Sequence, residues 1–414
     1  LTTFKDLGLA EPILKTLSAE GYEKPTPIQA DAIPLTIQNR DILGIAQTGT
    51  GKTAAFVLPQ LHKMAIQRGK PAAKSAQVLI MTPTRELAAQ IADSIKTYGR
   101  ALKPSVAVVV GGVKPGPQIK TMARGVDFLV ATPGRLLDHM QSGAINLSDV
   151  KTVVLDEADQ MLDLGFLPPI RRIMRNVPDQ RQVLLFSATM PKLIRGLADD
   201  FLDNPAEISV APQSKPIERI TQSVIFVEKP RKAQLLARLL KDPAVERAIV
   251  FTRTKHGANR LCQQLERAGI NAQAIHGNKS QSQRQKTLDA FRKGSLNILI
   301  ATDIAARGID IDDVSHVFNY ELPEVAEVYV HRIGRTARAG KNGAAVAFCD
   351  NNERSLLRDI EKLTRMKMPV ADIEGFLDLA PPAEAPTEPR KNYAHKRGTG
   401  SEETRKLRRN RRRR

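Results

Sequence analysis

Between positions 46 and 53 the chain reads Ala-Gln-Thr-Gly-Thr-Gly-Lys-Thr, a glycine-rich turn that leaves few folds open. A short apolar run, Ile42-Leu43-Gly44-Ile45, precedes it, and Ala54-Ala55-Phe56-Val57-Leu58 follows. The order is strand, loop, helix. Gly49 and Gly51 let the backbone turn tightly and aim successive N–H groups at one point. A helix beginning near Lys52 adds the positive end of its dipole, so the turn suits a polyphosphate. At this spacing Lys52 reaches the outer phosphates and the Thr53 hydroxyl can ligate Mg2+. The general pattern opens with glycine, and Ala46 stands there instead. Such turns also occur without phosphate, and the Gly-Lys-Thr ending together with carboxylates downstream weighs for the phosphate.

Strand-length apolar runs recur after the turn, at 78–81, 106–110, 127–131, 153–155 and 183–186, with helical stretches such as Arg85–Tyr98 between them. Continuous rather than alternating apolar strands predict a parallel sheet covered on both faces. Several runs end in polar residues, and in open α/β sheets ligands bind at the carboxyl ends of strands. A second series follows at 223–227, 248–251, 272–275, 298–301, 316–318 and 344–348, without a phosphate turn of its own. The expected fold class is α/β: two tandem domains with parallel sheets covered by helices. The expected boundaries are 1–210, a Pro-bearing linker at 211–220, a second domain at 221–379, and a Pro/Ala/Glu linker with a disordered basic tail at 380–414. Two similar domains with one phosphate turn suggest a ligand shared between them.

The 414 residues carry 63 Lys and Arg against 44 Asp and Glu, a formal net charge of +19. The segment 390–414 holds twelve cations and two Glu, a net +10, which leaves +9 for the other 389 residues. Both parts point to a polyanionic partner, the alternative being a solubilising tail on a mildly basic body. Cys262 and Cys349 are the two cysteines, with neither a Cys-x-x-Cys pair nor a Cys/His cluster for zinc. A reducing, cytoplasmic setting fits, and no apolar run approaches the ~18 residues of a membrane span.

Asp156-Glu157-Ala158-Asp159 ends one of the apolar strands. A carboxylate placed there, beside a phosphate turn, can hold Mg2+, which assigns Asp156 to the metal and Glu157 to the attacking water. With the phosphate turn, Ser187-Ala188-Thr189 and His331-Arg332-Ile333-Gly334-Arg335-Thr336-Ala337-Arg338, this block resembles the DEAD-box ATP-dependent RNA helicases over roughly residues 4–375. That family implies two RecA-like domains. His276 to Arg284, with the basic tail, resembles the bacterial RhlE-type branch.

The resemblance implies an ATP site made of Phe4, Tyr22, Thr26, Gln29, Thr48, Gly49, Thr50, Gly51, Lys52, Thr53, Gly308 and Asp310. Gln29 is the residue that would read the adenine edge, since an amide has both a donor and an acceptor. Arg335 and Arg338 resemble arginine fingers, whose planar forks suit charge spread over a phosphoryl group. Ser187, Thr189, Asp159 and His331 resemble the residues that couple the two domains. RNA contacts fall on Thr84, Arg85, Gly112, Thr132, Pro133 and Arg135 in the first half. In the second they fall on Arg253, His276, Gly277, Gln281, Arg284, Thr302 and Arg307. Hydroxyls, glycine N–H groups and guanidinium forks suit phosphate and sugar, and with aromatic residues at 4% base stacking is poorly supplied.

The expected activity is RNA-stimulated ATP hydrolysis coupled to local, non-processive unwinding of short duplexes. Single-stranded RNA and short RNA duplexes are the expected partners, with ribosomal precursors and RNA-decay machinery as family settings. An ATP-gated RNA clamp that does not unwind would use the same residues, and a translocating DNA helicase is the third reading.

Overall fold

A computed structural model of the chain describes residues 2–47, 49–67, 69, 71–210, 219–306, 314–337, 342–371 and 373. The first domain places β1 (Ile42–Ile45), β2 (Ala76–Met81), β3 (Val106–Val109), β4 (Val126–Ala131), β5 (Thr152–Leu155), β6 (Gln182–Ser187) and β7 (Ala206–Ser209) in one sheet, ordered β3-β4-β2-β5-β6-β1-β7. Every pairing in it is parallel. Its helices are α1 (Glu11–Ala19), α2 (Pro27–Ile37), α3 (Lys52–Ile66), α4 (Arg85–Tyr98), α5 (Pro115–Met122), α6 (Pro133–Gln141), α7 (Ala158–Asp163), α8 (Leu167–Met174) and α9 (Lys192–Phe201).

Strand alternation splits the apolar runs between two core layers. Val78 and Ile80 face the layer holding α1 to α4, whereas Leu79 and Met81 face that of α5 to α9. This two-sided burial explains why the strands are apolar throughout: all six residues of β4 and of β6 are buried.

The second domain has β8 (Ile220–Phe226), β9 (Ala248–Phe251), β10 (Ala272–Ile275), β11 (Ile298–Ala301), β12 (His316–Asn319) and β13 (Gly343–Cys349), ordered β10-β11-β9-β12-β13-β8 and again all parallel. Its helices are α10 (Lys232–Leu239), α11 (Lys255–Arg267), α12 (Gln281–Arg292), α13 (Asp303–Ala306), α14 (Ala326–Ile333) and α15 (Arg354–Thr364). Two sheets of RecA-like type with helices on both faces match the expected architecture. Ile220, expected to end the linker, is buried as the first residue of β8. The rest of the linker, 211–218, and the tail lie outside the described residues. No helix among the described residues is long and apolar enough to cross a membrane.

Sheet order decides which strand ends meet. In the first domain β1, β6 and β5 are adjacent, so the phosphate turn, Ser187 and Asp156 leave the sheet side by side. In the second, β10, β11 and β9 are adjacent, which gathers His276, Thr302 and Arg253 at one edge. The opposite edge of the first sheet is closed by polar side chains. There Lys63 donates to Asn39 Oδ1 at 2.6 Å and to Gln182 Oε1 at 2.7 Å, and burial pushes its pKa down to about 8.

Candidate functional site

The phosphate turn is held by the helix in front of it. Gln29, in the first turn of α2, accepts the Thr26 N–H at 3.0 Å and donates its Nε2 to the Gly51 carbonyl at 3.1 Å. Gly51 has φ 91°, and a β-carbon there would fall inside contact distance of Gln29 Nε2 and 2.9 Å from Thr26 Oγ1. Glycine is therefore required for two reasons at once, handedness and space. Lys52 is buried and donates to the Ala46 carbonyl at 2.9 Å. Ala46 replaces the usual glycine at no backbone cost: it is absent from the positive-φ residues and its methyl group is buried in the core.

Beside the turn stands the acidic block. The Glu157 N–H donates to Asp156 Oδ1 at 3.0 Å, and Glu157 itself has φ 54°, in the left-handed region. Non-glycine residues there cost of order 1–3 kcal/mol and cluster at functional sites. Burial pushes Asp156 above the usual carboxylate range, opposed by the Lys52 ammonium. Burial, then Asp156, push Glu157 up to about 7, while Lys52 and Arg335 pull it back. Glu157 Oε2 has no hydrogen-bond partner among the described residues. Asp159 turns the other way: its Oδ2 accepts both the N–H and the hydroxyl of Thr189 at 2.9 Å, and its own N–H donates to Ser187 Oγ at 3.3 Å. The ends of β5 and β6 are thus bonded together within the first domain.

A cleft of about 450 Å3 opens over these groups, lined by Tyr22, Thr26, Gln29, Lys52, Asp156 and Glu157. Gly49, Gly51 and Thr53 also line it, and Thr50 donates to the Gln47 carbonyl at 2.7 Å within the turn. The second domain contributes Arg335 to the same cleft. Phe4 is buried in the apolar layer with α1 and α2 and is not among the residues that line the cleft. His331 is half-buried in the last turn of α14. Thr48, Arg307, Gly308, Asp310 and Arg338 lie outside the described residues.

Arg332 was quoted in the sequence motif without a role. It is fully buried and forks onto Asp303, Nε to Oδ1 at 2.6 Å and Nη2 to Oδ2 at 2.8 Å. Its Nη1 donates to Asn319 Oδ1 at 3.0 Å and to the Glu321 carbonyl at 2.7 Å. This ties α14, which leads into Arg335, to the ends of β11 and β12.

The remaining strand-end residues divide. Thr84 caps α4, accepting from the Leu87 N–H at 3.2 Å, and Thr132 and Pro133 open α6. Arg135 donates to the Val113 carbonyl at 3.0 Å. Arg85 lies against Gly112, whose φ of 71° and missing side chain make room for the guanidinium. His276 and Arg253 make contacts within the second domain. His276 is buried, with Nε2 2.9 Å from Asn259 Oδ1, so its ring is packed rather than presented. The Arg253 guanidinium pairs with Glu353 at 3.1 Å. Gly277 is exposed and Thr302 is nearly buried at the end of β11.

Gln281 and Arg284 reach across to the first domain. Arg85 Nη1 lies 3.4 Å from Gln281 Oε1, Gln281 Nε2 donates to Glu86 Oε1 at 3.1 Å, and Arg284 Nη2 sits 3.0 Å from the same oxygen. Glu86 was missed. Its signal was its place beside Thr84 and Arg85, but a partner 195 residues away cannot be read locally.

The two parallel sheets and the glycine-rich turn after β1 are those of a two-domain P-loop nucleotide hydrolase. A DEAD/DEAH box helicase family model matches residues 26–196, and a helicase conserved C-terminal domain model matches 231–340. The DEAD-box ATP-dependent RNA helicase CshA of Geobacillus kaustophilus is 44% identical over 368 residues, 89% of this chain and 78% of the relative. Among solved structures, S. cerevisiae Dbp5 bound to RNA and ADP BeF3 aligns with 90% of this chain and 96% of its own at 32% identity, TM-score 0.78. A Dbp5 variant bound to Nup159, Gle1, IP6 and ADP aligns with 90% and 97% at 32% identity, TM-score 0.60. The chain belongs to the DEAD-box ATP-dependent RNA helicases, and it is an RNA-dependent ATPase.

Proposed function

We propose that ATP is hydrolysed at the interdomain cleft and that the two domains each supply half of the site. The observation that carries this is Arg335, which comes from the second domain and lines the same cleft as Lys52 and Glu157. The triphosphate lies along Gly49 to Thr53, with Lys52 exchanging the Ala46 carbonyl for phosphate oxygens. Gln29, Tyr22 and Thr26 flank the base and ribose end. Glu157 takes the proton of the attacking water, and Arg335 stabilises the charge on the transferring phosphoryl group. A finger of this kind is worth about 10³–10⁵ in rate, so hydrolysis is conditional on domain closure.

The donor set fits Mg2+: Asp156 and Thr53 are hard oxygen donors on one cleft wall, and a buried carboxylate short of counter-charge is stabilised by a cation. Bound there, Mg2+ supplies positive charge to the outer phosphates.

RNA is the bridging ligand along the strand ends of both domains, held by phosphate and sugar without base readout. Support for closure comes from Dbp5. At equal identity and coverage of this chain, the likeness is higher to Dbp5 with RNA and ADP BeF3 than to the variant with Nup159, Gle1, IP6 and ADP, as expected if these two domains sit in the RNA- and nucleotide-bound arrangement. Because RNA and ATP favour one arrangement, each raises affinity for the other. A few stacked steps lost at the grip, ~1–2 kcal/mol each, release a short duplex, which makes unwinding local and non-processive. Domain boundaries at 1–210 and 221–379 go with this division, and the net +10 tail serves as a non-specific RNA tether. Cytoplasmic work on ribosomal precursors or RNA-decay substrates suits such an enzyme. The finer RhlE-type placement rests on 276–284 and the tail, while the relative above carries the CshA name.

Strand displacement on a short duplex with a single-stranded flank, run beside RNA- and DNA-stimulated ATPase, tests the reading. RNA-selective stimulation and ATP-dependent displacement are expected, with Arg335→Ala abolishing both. ATP-dependent RNA retention without displacement identifies a clamp instead.

A further inference from the structure

The edge strand β10 pairs with β11 on one side only, and its other side is the floor of a groove between α11 and α12. The groove has a volume of about 670 Å3, and its walls carry Lys279 and Lys286 with the carboxamides of Asn259, Gln263, Gln273 and Gln283. Thr287 Oγ1 donates to Gln273 Oε1 at 3.0 Å, a bond that runs from α12 to the strand and lies over its edge. No carboxylate lines the groove among the described residues. Burial raises the pKa of the Cys262 thiol in the groove, Lys279 lowers it and Glu266 raises it.

Burial is the first cause that lowers the pKa of His276, and Lys279, Lys255, Arg284 and His256 add to it with one sign, Arg284 being itself paired with Glu86 of the first domain. Cys262, Ala272 and Ala274 are the apolar residues of the lining, and among the described residues no aromatic or large aliphatic side chain joins them. The lysines and amide donors therefore match sugar and phosphate better than the alternating side chains of an added peptide strand. Position matters equally. Gln281 and Arg284 occupy one face of the first turns of α12, towards the first domain, and Gln283, Lys286 and Thr287 occupy the adjacent face, towards the groove.

We propose that the groove between α11 and α12 is an extension of the RNA path, in which Lys279 and Lys286 hold the phosphates of nucleotides that lie beyond the interdomain grip. This rests on the strand-end reading of RNA binding given above. It makes the footprint longer on the second domain than the strand ends alone provide, and it gives the enzyme a preference for a single-stranded flank on that side of the grip.

The test is fluorescence anisotropy of the full chain with labelled oligouridylates, one of about six nucleotides and one about twice as long, over a salt series. Each neutralised phosphate on a single strand contributes about 0.7 to the slope of log K against log salt. With the long oligomer, Lys279→Ala/Lys286→Ala is expected to lower the slope by about 1.4 relative to wild type, and with the short one to leave it unchanged. Circular dichroism melts confirm the variant's fold, and both side chains are at least partly exposed. Equal slopes for variant and wild type on the long oligomer overturn the proposal. So does a loss that is the same for both lengths, which marks a general charge effect. Competition by an oligoglutamate peptide, with RNA slopes unmoved, assigns the groove to acidic protein and likewise overturns it. Arg135→Ala is the separate control: if short-oligomer binding survives it, the strand-end reading fails, whatever the groove does.

Discussion

Glu157 combines a buried carboxylate, whose Oε2 has no hydrogen-bond partner among the described residues, with a backbone angle that glutamate rarely adopts. Glu157→Gln keeps the shape and removes the base, so ATP turnover should fall by about 10² or more while ATP- and RNA-bound complex accumulates. Single-turnover hydrolysis beside RNA retention measures this, and wild-type turnover refutes the role. Lys63 makes a pH-dependent prediction. Burial holds its folded pKa at about 8, below the ordinary 10.5 of a lysine, so the unfolded chain protonates first as pH falls. Stability therefore declines from about pH 10.5 down to about 8 and is flat below. Lys63→Met should flatten that slope in urea titrations, by no more than about 3 kcal/mol and less where water screens the side chain. The phosphate turn and the acids were legible because their spacing is local. Glu86 and Arg332 were not, since what they hold comes from distant strands and only folding brings it near.

Among elements, every strand of the first sheet except β7 could be read as a continuous apolar run. Only Ile208 of β7 is buried, because the strand sits at the sheet edge, and one apolar residue gives no pattern. Two helices open on polar capping residues: Gln29 caps the first turn of α2 at Thr26, and Ser280 with Gln283 caps α12. The position of α14 depends on the Arg332–Asp303 fork. Asp303→Ala leaves a buried guanidinium short of its counter-charge, and removing one partner of a buried pair costs about 3–5 kcal/mol. Denaturant unfolding of the full chain should show the second domain melting earlier, with RNA-stimulated ATPase falling before the domain unfolds. Gly51→Ala acts on the turn instead, through its φ and the Gln29 contact, and should weaken ATP binding measured by calorimetry while the melting midpoint moves little.

At the scale of the whole molecule, the two domains meet through Arg85, Glu86, Gln281 and Arg284. A coupling free energy between bound ligands is typically 1–3 kcal/mol, and Glu86→Gln removes the charge at the centre of the contact. RNA stimulation of the ATPase should then drop about tenfold, with the ATP dissociation constant in the absence of RNA unchanged; equal loss in both overturns the coupling role. The two-domain plan itself could be read from the repeat of strand series. How the domains face each other could not, since that depends on side chains far apart in sequence.

A latch made of one carboxylate, a visiting guanidinium and a neutral amide has a rival in every dissolved salt. Chloride and potassium compete for the same groups whenever the lobes part, so brine should act as a brake on closure in its own right, separate from its grip on nucleic acid.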